Sequence, residues 1–345
     1  MKKLHLICAA VIASLFLAGC SKSALDSDGF YNDMEKASKA AKKANQNILL
    51  IVTAEGDVDY DGNDFSTPFM NNVVRTEDFK KLIQSEFTVA LMDFSESTYK
   101  KTVVTDDLSS KEKKQAKKIA NQIEKNSILV SKLNPENAPA VYLFTKDVYF
   151  IGFVESVTSV NNAADFKDIL DTHKSNVDLV NELVTGTKKG SNAEKLLAID
   201  KLFMATPSIY RVFLSDLVDQ AISYDKKNES GLMSKYIMAK ADYEAMDLTI
   251  RGKIPEAAKK YADVAVNPFL GPMEKQQSYY MAAYTLGISG SSEVNQVLNY
   301  LQESMNAYPE GEAYEQIKAT YEYYVDAAAK ASEIYGMDFD PDYQE

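Results

Sequence analysis

The chain has 345 residues, of which 46% are hydrophobic, and carries 50 acidic against 38 basic side chains, for a formal net charge of −12. The hydrophobic share is ordinary for a globular protein, and the length is sufficient for two domains with separate cores. Because binding to phosphate groups requires clustered cations, the acidic balance argues against a nucleic-acid partner and against charge-driven adhesion to an anionic lipid surface.

The first twenty residues have the parts of a secretory signal. Lys2 and Lys3 form a basic start, and residues 6–18 form an apolar stretch too short to span a membrane. The ending Leu-Ala-Gly-Cys at residues 17–20 resembles the bacterial lipobox. This resemblance implies cleavage before Cys20, acylation of its thiol and amine, and attachment to a membrane through the lipid. The alternative is an ordinary signal peptide with a chance cysteine.

We therefore expect a lipoprotein signal peptide at residues 1–19 and a short polar tether at residues 20–29. The expected location is a bacterial cell envelope, with the outer membrane or a periplasm-facing surface favoured by Ser21. The two cysteines of the chain are Cys8, lost with the signal, and Cys20, consumed by lipid. The processed protein is then expected to have neither a disulfide nor a reactive thiol.

Hydrophobic patterning predicts alternating helices and strands from residue 30 to residue 186. The runs at 48–52 and 87–94 are continuous and aliphatic, which is typical of strands buried on both faces. In a short helix at 76–84, Phe79, Leu82 and Ile83 are expected to face inward. The remaining predicted elements are helices at 34–45, 111–125 and 165–184, and strands at 140–144 and 149–154.

Three segments carry a family resemblance: AKKANQNILLIVTA (41–54), VVRTEDFKKLIQSEFTVALMDF (73–94) and NAPAVYLFTKDVYFIGF (137–153). In this order they are similar to the first helix and central strand, the following helix and strand, and the proline turn and closing hairpin of thioredoxin-fold domains. The resemblance implies an α/β thioredoxin-like domain at 30–186. It also implies a cis proline at Pro139, whose neighbouring backbone could bind an extended peptide.

The resemblance does not extend to the catalytic motif. The Cys-x-x-Cys of a working thioredoxin should fall near residues 63–66, which read Asn-Asp-Phe-Ser. Thiol–disulfide exchange is therefore excluded on chemical grounds. His173 is the one histidine after the signal, and no other catalytic motif is recognised, so we expect a protein that is not an enzyme and needs no cofactor.

The loop that replaces this motif matches the opening of a calcium-binding loop, D-x-[DN]-x-[DN]-G. Carboxylates at alternate positions can converge on a hard cation, although the twelfth position is Pro68 instead of the usual glutamate. The alternative is a solvated acidic loop, since these residues are ordinary turn formers. The predicted calcium ligands are Asp57, Asp59, Asp61 and Asn63.

Residues 190–337 are predicted to be helical throughout, with a boundary at Gly190-Ser191-Asn192 and an acidic tail at 338–345. The segment Gly252-Lys-Ile-Pro-Glu-Ala257, with Tyr261 and Pro268, resembles the second half of a tetratricopeptide repeat. This resemblance implies an all-α helical-repeat domain of stacked helix pairs, with a plain helical bundle as the alternative. Helical repeats commonly bind a protein partner on a concave face.

These observations favour a lipid-anchored binding or scaffold protein with a redox-inactive thioredoxin-like domain. A calcium-binding structural or sensing lipoprotein, acting through residues 57–64, is one alternative. A non-catalytic accessory to an envelope protein-folding or redox system, holding clients beside Pro139, is another.

Overall fold

A computed structural model describes residue 25, residues 28–288 and residues 293–335, with side chains through residue 330. The predicted signal peptide, Cys20, most of the tether and the acidic tail lie outside the described residues. The chain divides into two compact units between Asn181 and Glu182. The predicted boundary at Gly190 to Asn192 lies a few residues further along and stays a prediction.

The first unit mixes helices with strands, as its sequence pattern predicted. Its elements are α1 (Met34–Ala44), β1 (Asn47–Thr53), α2 (Ser66–Phe69, continued by a π-helical turn Met70–Val74), α3 (Glu77–Leu82), β2 (Phe87–Asp93), α4 (Glu96–Lys100), α5 (Ser110–Leu133), β3 (Ala140–Phe144), β4 (Phe150–Val154), a 3₁₀ turn (Val157–Ser159), α6 (Ala163–Thr172) and α7 (Lys174–Gly186), the helix in which the division between the units falls.

The four strands form one mixed sheet in the order β2-β1-β3-β4. Strand β1 runs parallel to β2, with Thr53 opposite Asp93, and antiparallel to β3, which pairs antiparallel with β4. Residues 48–53 are all buried, which confirms the prediction of a strand covered on both faces. The Ala138–Pro139 peptide bond that precedes β3 is cis, as expected for Pro139.

Side-chain caps explain where the helices beside the sheet begin. The Asp33 carboxylate accepts a hydrogen bond from the Lys36 N–H at 3.0 Å and thereby starts α1. Ser109 and Glu112 form a reciprocal capping box at the start of α5. Asn45 and Asn134, both with positive φ, end α1 and α5. These caps set where α1 and α5 begin and end along the chain.

An aromatic cluster joins α2, α3 and α6. Phe166 packs edge-on against Phe69, with ring centres 5.3 Å apart, and stacks with Phe79 at 6.3 Å. Phe30 contacts Phe79 edge-on at 6.0 Å. All four rings are at most 2% exposed. They form a buried aromatic cluster within the core of this unit.

Three details differ from the prediction. Leu82 is 38% exposed, because Phe79 and Ile83, four residues apart, take the buried stripe of α3 and turn Leu82 to its edge. The predicted helix at 165–184 is two helices separated at His173, which is half-buried, with its Nδ1 atom beside Gly152. Helix α5 extends to Leu133, well beyond the predicted end at residue 125.

The described elements of the second unit are all helical, and consecutive helices from α8 onward pack on one another. Gly252 has a φ of 73° in the turn between α10 and α11, a conformation that glycine adopts without strain. The helices are α8 (Asn192–Ala205), a 3₁₀ segment (Ser208–Leu214), α9 (Ser215–Tyr224), α10 (Met233–Ile250), α11 (Ile254–Ala265), α12 (Pro272–Ile288), α13 (Val294–Ala307) and α14 (Tyr314–Tyr335).

Small and aromatic residues hold these helices together. Ala258, Ala283 and Leu301 are buried in a core against which several tyrosine rings pack. Within the described ranges, no helix combines the length and the apolar character that crossing a bilayer requires. The partly buried tyrosines of this core are Tyr280, Tyr300, Tyr314, Tyr321 and Tyr324.

Candidate functional site

Residues 63–66, where the sequence resemblance would place a Cys-x-x-Cys motif, lead into helix α2. The Asp64 carboxylate accepts a hydrogen bond from the Thr67 N–H at 2.9 Å, at the beginning of α2. Partial burial raises the pKa of Asp64, but the hydrogen bonds from Thr67 and neighbouring N–H groups outweigh it, so the pKa lies below its usual value. Asp64 therefore acts as an acceptor for backbone N–H groups where α2 begins.

Two of the four predicted calcium ligands, Asp57 and Asp59, accept hydrogen bonds from backbone N–H groups. The Asp57 carboxylate accepts hydrogen bonds from the Glu96 N–H at 2.9 and 3.1 Å. Asp59 Oδ1 accepts from the N–H groups of Asp61 at 2.9 Å and Asn63 at 2.8 Å, which is the pattern of an Asx turn. The part of the chain that the structure describes contains no group of three or more His, Cys, Asp or Glu side chains positioned to hold a metal. The calcium site stays a prediction.

A calcium titration followed by NMR tests that prediction. Coordination by Asp57 would require its carboxylate to release the Glu96 N–H, so a bound ion is expected to shift the amide resonances of Glu96, Asp57 and Asp61 together. Asp57→Asn is expected to abolish those shifts. Unchanged Glu96 and Asp61 resonances at millimolar calcium would contradict the site.

A polar pocket of about 840 Å³ lies where β1 and β2 end. Thr53 and Asp93, the last residues of these parallel strands, line it, and the carboxyl ends of parallel strands are a common place for ligands. Its charged wall is held by Arg75, whose guanidinium donates to both Glu55 oxygens at 2.6 Å and to Asp28 at 2.8 Å. The Glu55 hydrogen bonds raise the pKa of Arg75 further, so the charge is permanent.

Helix α5 forms another wall of this pocket. The ammonium of Lys125 lies 2.9 Å from the buried Asp33 carboxylate, which ties α5 to the start of α1. Asn126 Nδ2 donates to the backbone oxygen of Asn32 at 3.1 Å, and Asn126 Oδ1 accepts from Gln122 at 3.0 Å. The pocket-facing stripe of the helix consists of Gln115, Ile119, Gln122, Ile123 and Asn126.

An apolar groove of about 480 Å³ lies between α9, α10 and α11 in the helical unit. Met233 and Ile237 are buried at its base, and Phe269, 37% exposed, stands at its edge. Lysines at the rim pair with acids: Lys240 with Asp219 at 2.6 Å and Lys260 with Glu244 at 2.9 Å. The groove combines an apolar base with a mixed-charge rim.

The chain from the end of α11 to the start of α12 carries exposed apolar side chains close in sequence to Phe269, a residue that lines the groove. Val266 is 72% exposed and Met273 is 62% exposed, on either side of Phe269. Exposed apolar side chains clustered around a concave apolar site are typical of protein-binding surfaces, and methionine adapts to partners of different shape.

Asp242 in α10 is a carboxyl with a displaced pKa, which raises the question of acid–base chemistry. Burial raises the pKa of Asp242, and a hydrogen bond with Tyr261 lowers it in part. Tyr261 is itself buried among Ala241, Ala257 and other small residues between helices. Burial alone shifts the pKa of a structural carboxyl in the same direction as that of a catalytic one, so the raised pKa does not identify a catalytic group. Since Tyr261 is packed between helices, we assign the Asp242–Tyr261 pair a packing role.

Sequence reasoning missed both concave sites. The pocket brings together Asn32, Thr53 and Asn126, which are distant in sequence, and no motif connects them. The loop sequence Val266-Asn-Pro-Phe-Leu-Gly-Pro-Met273 was a usable signal for the groove, since apolar residues between prolines are uncommon in solvated turns.

Comparison with known proteins links the chain to uncharacterised relatives. Residues 232–330, which include most of the groove, match the TP_0391_C family, described as an uncharacterised protein C-terminal domain. An uncharacterized protein of Treponema pallidum (strain Nichols) is 28% identical over 201 residues, covering 57% of this chain. The match spans 65% of that relative's length. No solved structure matches the chain.

Proposed function

We propose that this chain is a lipid-anchored, non-catalytic binding protein of the bacterial cell envelope whose helical unit holds a protein partner. The observation that carries the proposal is the apolar groove beside the exposed Val266, Phe269 and Met273 side chains. A groove of this kind takes an apolar anchor residue of a partner, while a polar rim excludes water around it.

The first unit is proposed to be a thioredoxin-like domain that has lost its chemistry. The order of its elements and the parallel β1–β2 pair next to an antiparallel hairpin support this assignment. Asn63 to Ser66 supply no thiol at the position of the family motif, so binding and not redox exchange is the activity that the domain can retain.

The helical unit is proposed to be a tetratricopeptide-like array. Its support is the packing of each helix on the next and the glycine turn at Gly252 between α10 and α11. Stacked helix pairs expose a continuous surface because no pair can bury its apolar face alone. The groove lies on such a surface, between α9, α10 and α11.

Site-specific photo-crosslinking in membranes tests the proposal. A photoreactive amino acid at Met273, beside the groove, is expected to give a discrete covalent adduct with the partner. Leu197, 55% exposed in the same unit but outside the groove, is the matched control and is expected to give none. Adding Phe269→Ala is expected to reduce the Met273 adduct severalfold, since the ring at the groove edge is lost.

The same crosslinking experiment distinguishes a groove-bound partner from the alternative function, a non-catalytic accessory to a protein-folding or redox system. Tyr60, fully exposed in the loop of the first unit, provides the probe for clients held near the thioredoxin-like site. Adducts at Tyr60 without adducts at Met273 would favour the folding or redox accessory. Equal adducts at Met273 and Leu197 would contradict a groove-bound partner.

A further inference from the structure

The polar pocket of the first unit contains buried groups that the fold leaves without partners. Thr53 is 1% exposed, and its hydroxyl has no hydrogen-bond partner among the described residues. The side-chain oxygen of Asn32 is also buried and has no partner in the same part of the chain. Both residues line the pocket. Burying an unpaired polar group destabilises a protein. Two such groups that line one pocket therefore indicate a site that binds a ligand.

The carboxylates and the guanidinium of the same wall are already engaged, whereas Lys101, which also lines the pocket, is exposed to solvent. Glu55 and Asp28 accept from Arg75, and the Asp93 carboxylate accepts from the Ser95 N–H at 3.0 Å, from its hydroxyl at 2.9 Å and from the Thr98 hydroxyl. A charged ligand would have to break these bonds or face charges of its own sign. Apart from Lys101, the polar groups left for a ligand are neutral amides and hydroxyls.

The lining also argues for a ligand rich in hydroxyls. The residues described around the pocket include amides and hydroxyls, which both donate and accept, with aliphatic side chains such as Leu91, Ile119 and Ile123 between them. They include no aromatic ring on which a planar ligand could stack. A ligand hydroxyl also donates and accepts hydrogen bonds, so it can pair with both the amides and the hydroxyls of the pocket wall.

We propose that this pocket binds a small, uncharged, polyhydroxylated molecule of the sugar or polyol class, with Thr53 and Asn32 as hydrogen-bonding residues. Its volume of about 840 Å³ is within the range of small-molecule sites, about 300–1,000 Å³. The two unpartnered atoms have almost no surface open to water. The ligand therefore reaches Thr53 after a small side-chain adjustment, such as rotation about its Cα–Cβ bond.

Two matched variants separate ligand binding from structure. Thr53→Val removes the unpaired hydroxyl and keeps the shape, so the midpoint of urea unfolding is not expected to fall. Thr145 is equally buried at 1%, but its hydroxyl accepts from the Tyr149 N–H at 3.1 Å and the Asp147 N–H at 3.3 Å. Thr145→Val is therefore expected to lower the midpoint.

The binding test uses calorimetry on the full-length protein with glucose, N-acetylglucosamine, maltose and myo-inositol as neutral probes, and glucosamine and glucuronate as charged ones. At least one neutral probe is expected to bind, with affinity lowered about threefold to tenfold by Thr53→Val and unchanged by Thr145→Val. The proposal is overturned if no neutral probe binds, if the charged analogues bind equally well, or if Thr53→Val leaves affinity unchanged. The groove variants do not touch this pocket, so the two proposals fail independently.

Discussion

Replacing Cys20 with serine is expected to move the protein from the membrane fraction to the soluble fraction. Serine has no thiol to receive the first acyl group, and the lipobox resemblance makes that step the start of processing. Burial of an acyl chain contributes about 0.8 kcal/mol per CH₂ group, and two or more chains give stable attachment where one is marginal. Loss of these chains is therefore expected to release most of the processed protein from the membrane.

Fractionation and metabolic labelling with radioactive palmitate measure this outcome. Cys8→Ser is the matched control, because it makes the same substitution in the same leader but outside the Leu-Ala-Gly-Cys ending. Cys8→Ser is expected to leave labelling and membrane attachment unchanged. A Cys20→Ser protein that stays in the membrane fraction and still takes up palmitate would sink the lipoprotein assignment. Loss of labelling in both variants would point to a general defect in secretion.

The buried strands were predictable because a strand covered on both faces has a continuous run of aliphatic residues in the sequence. Ile48 to Val52 is an unbroken aliphatic run, and a run of that kind has few structures open to it other than a central strand. The cis bond before Pro139 followed from the family resemblance of the segment around it. Both depend on neighbouring residues alone, which is the information that a single sequence carries.

The pocket was not predictable because its groups meet only in the folded chain. Thr53 ends a strand, Asn32 precedes the first helix and Asn126 lies in α5, so no spacing in the sequence connects them. A threonine at the end of an aliphatic strand gives no sign that its hydroxyl lacks a partner. That fact depends on the groups that the folded chain brings around it.

The acidic loop is the opposite of the pocket: its aspartates form a recognisable motif in the sequence, but in the fold they accept different hydrogen bonds. The spacing of Asp57, Asp59 and Asp61 suits a common metal ion, but two of these carboxylates accept backbone N–H groups. Aspartate is favoured in calcium loops and in turns for the same reason, a short side chain with two accepting oxygens. Sequence alone cannot separate these uses, which is why the Glu96 amide is the informative probe.

Replacing Phe166 with alanine is expected to destabilise the first unit by about 3–5 kcal/mol, the usual cost of removing a buried phenylalanine ring. Phe166 is fully buried and contacts Phe69 and Phe79, so the cavity would lie where α2, α3 and α6 meet. Small domains are stable by about 5–15 kcal/mol, so this loss removes a large part of the total. Hydrogen exchange of the β1 amides, together with urea unfolding, measures it.

Phe153→Ala is the control for this substitution. Phe153 is 38% exposed on β4, and its ring packs against Tyr142 at 5.2 Å, so the same change opens little closed space and is expected to cost well below the Phe166 value. Equal losses for the two variants would mean that the aromatic cluster is not the centre of the core. If the cluster is the centre, Phe166→Ala should also speed exchange in α3, whose Phe79 ring stacks on Phe166, more than in α5, which is held through Lys125 and Asp33. Such a gradient would separate the loss of a specific contact from general unfolding.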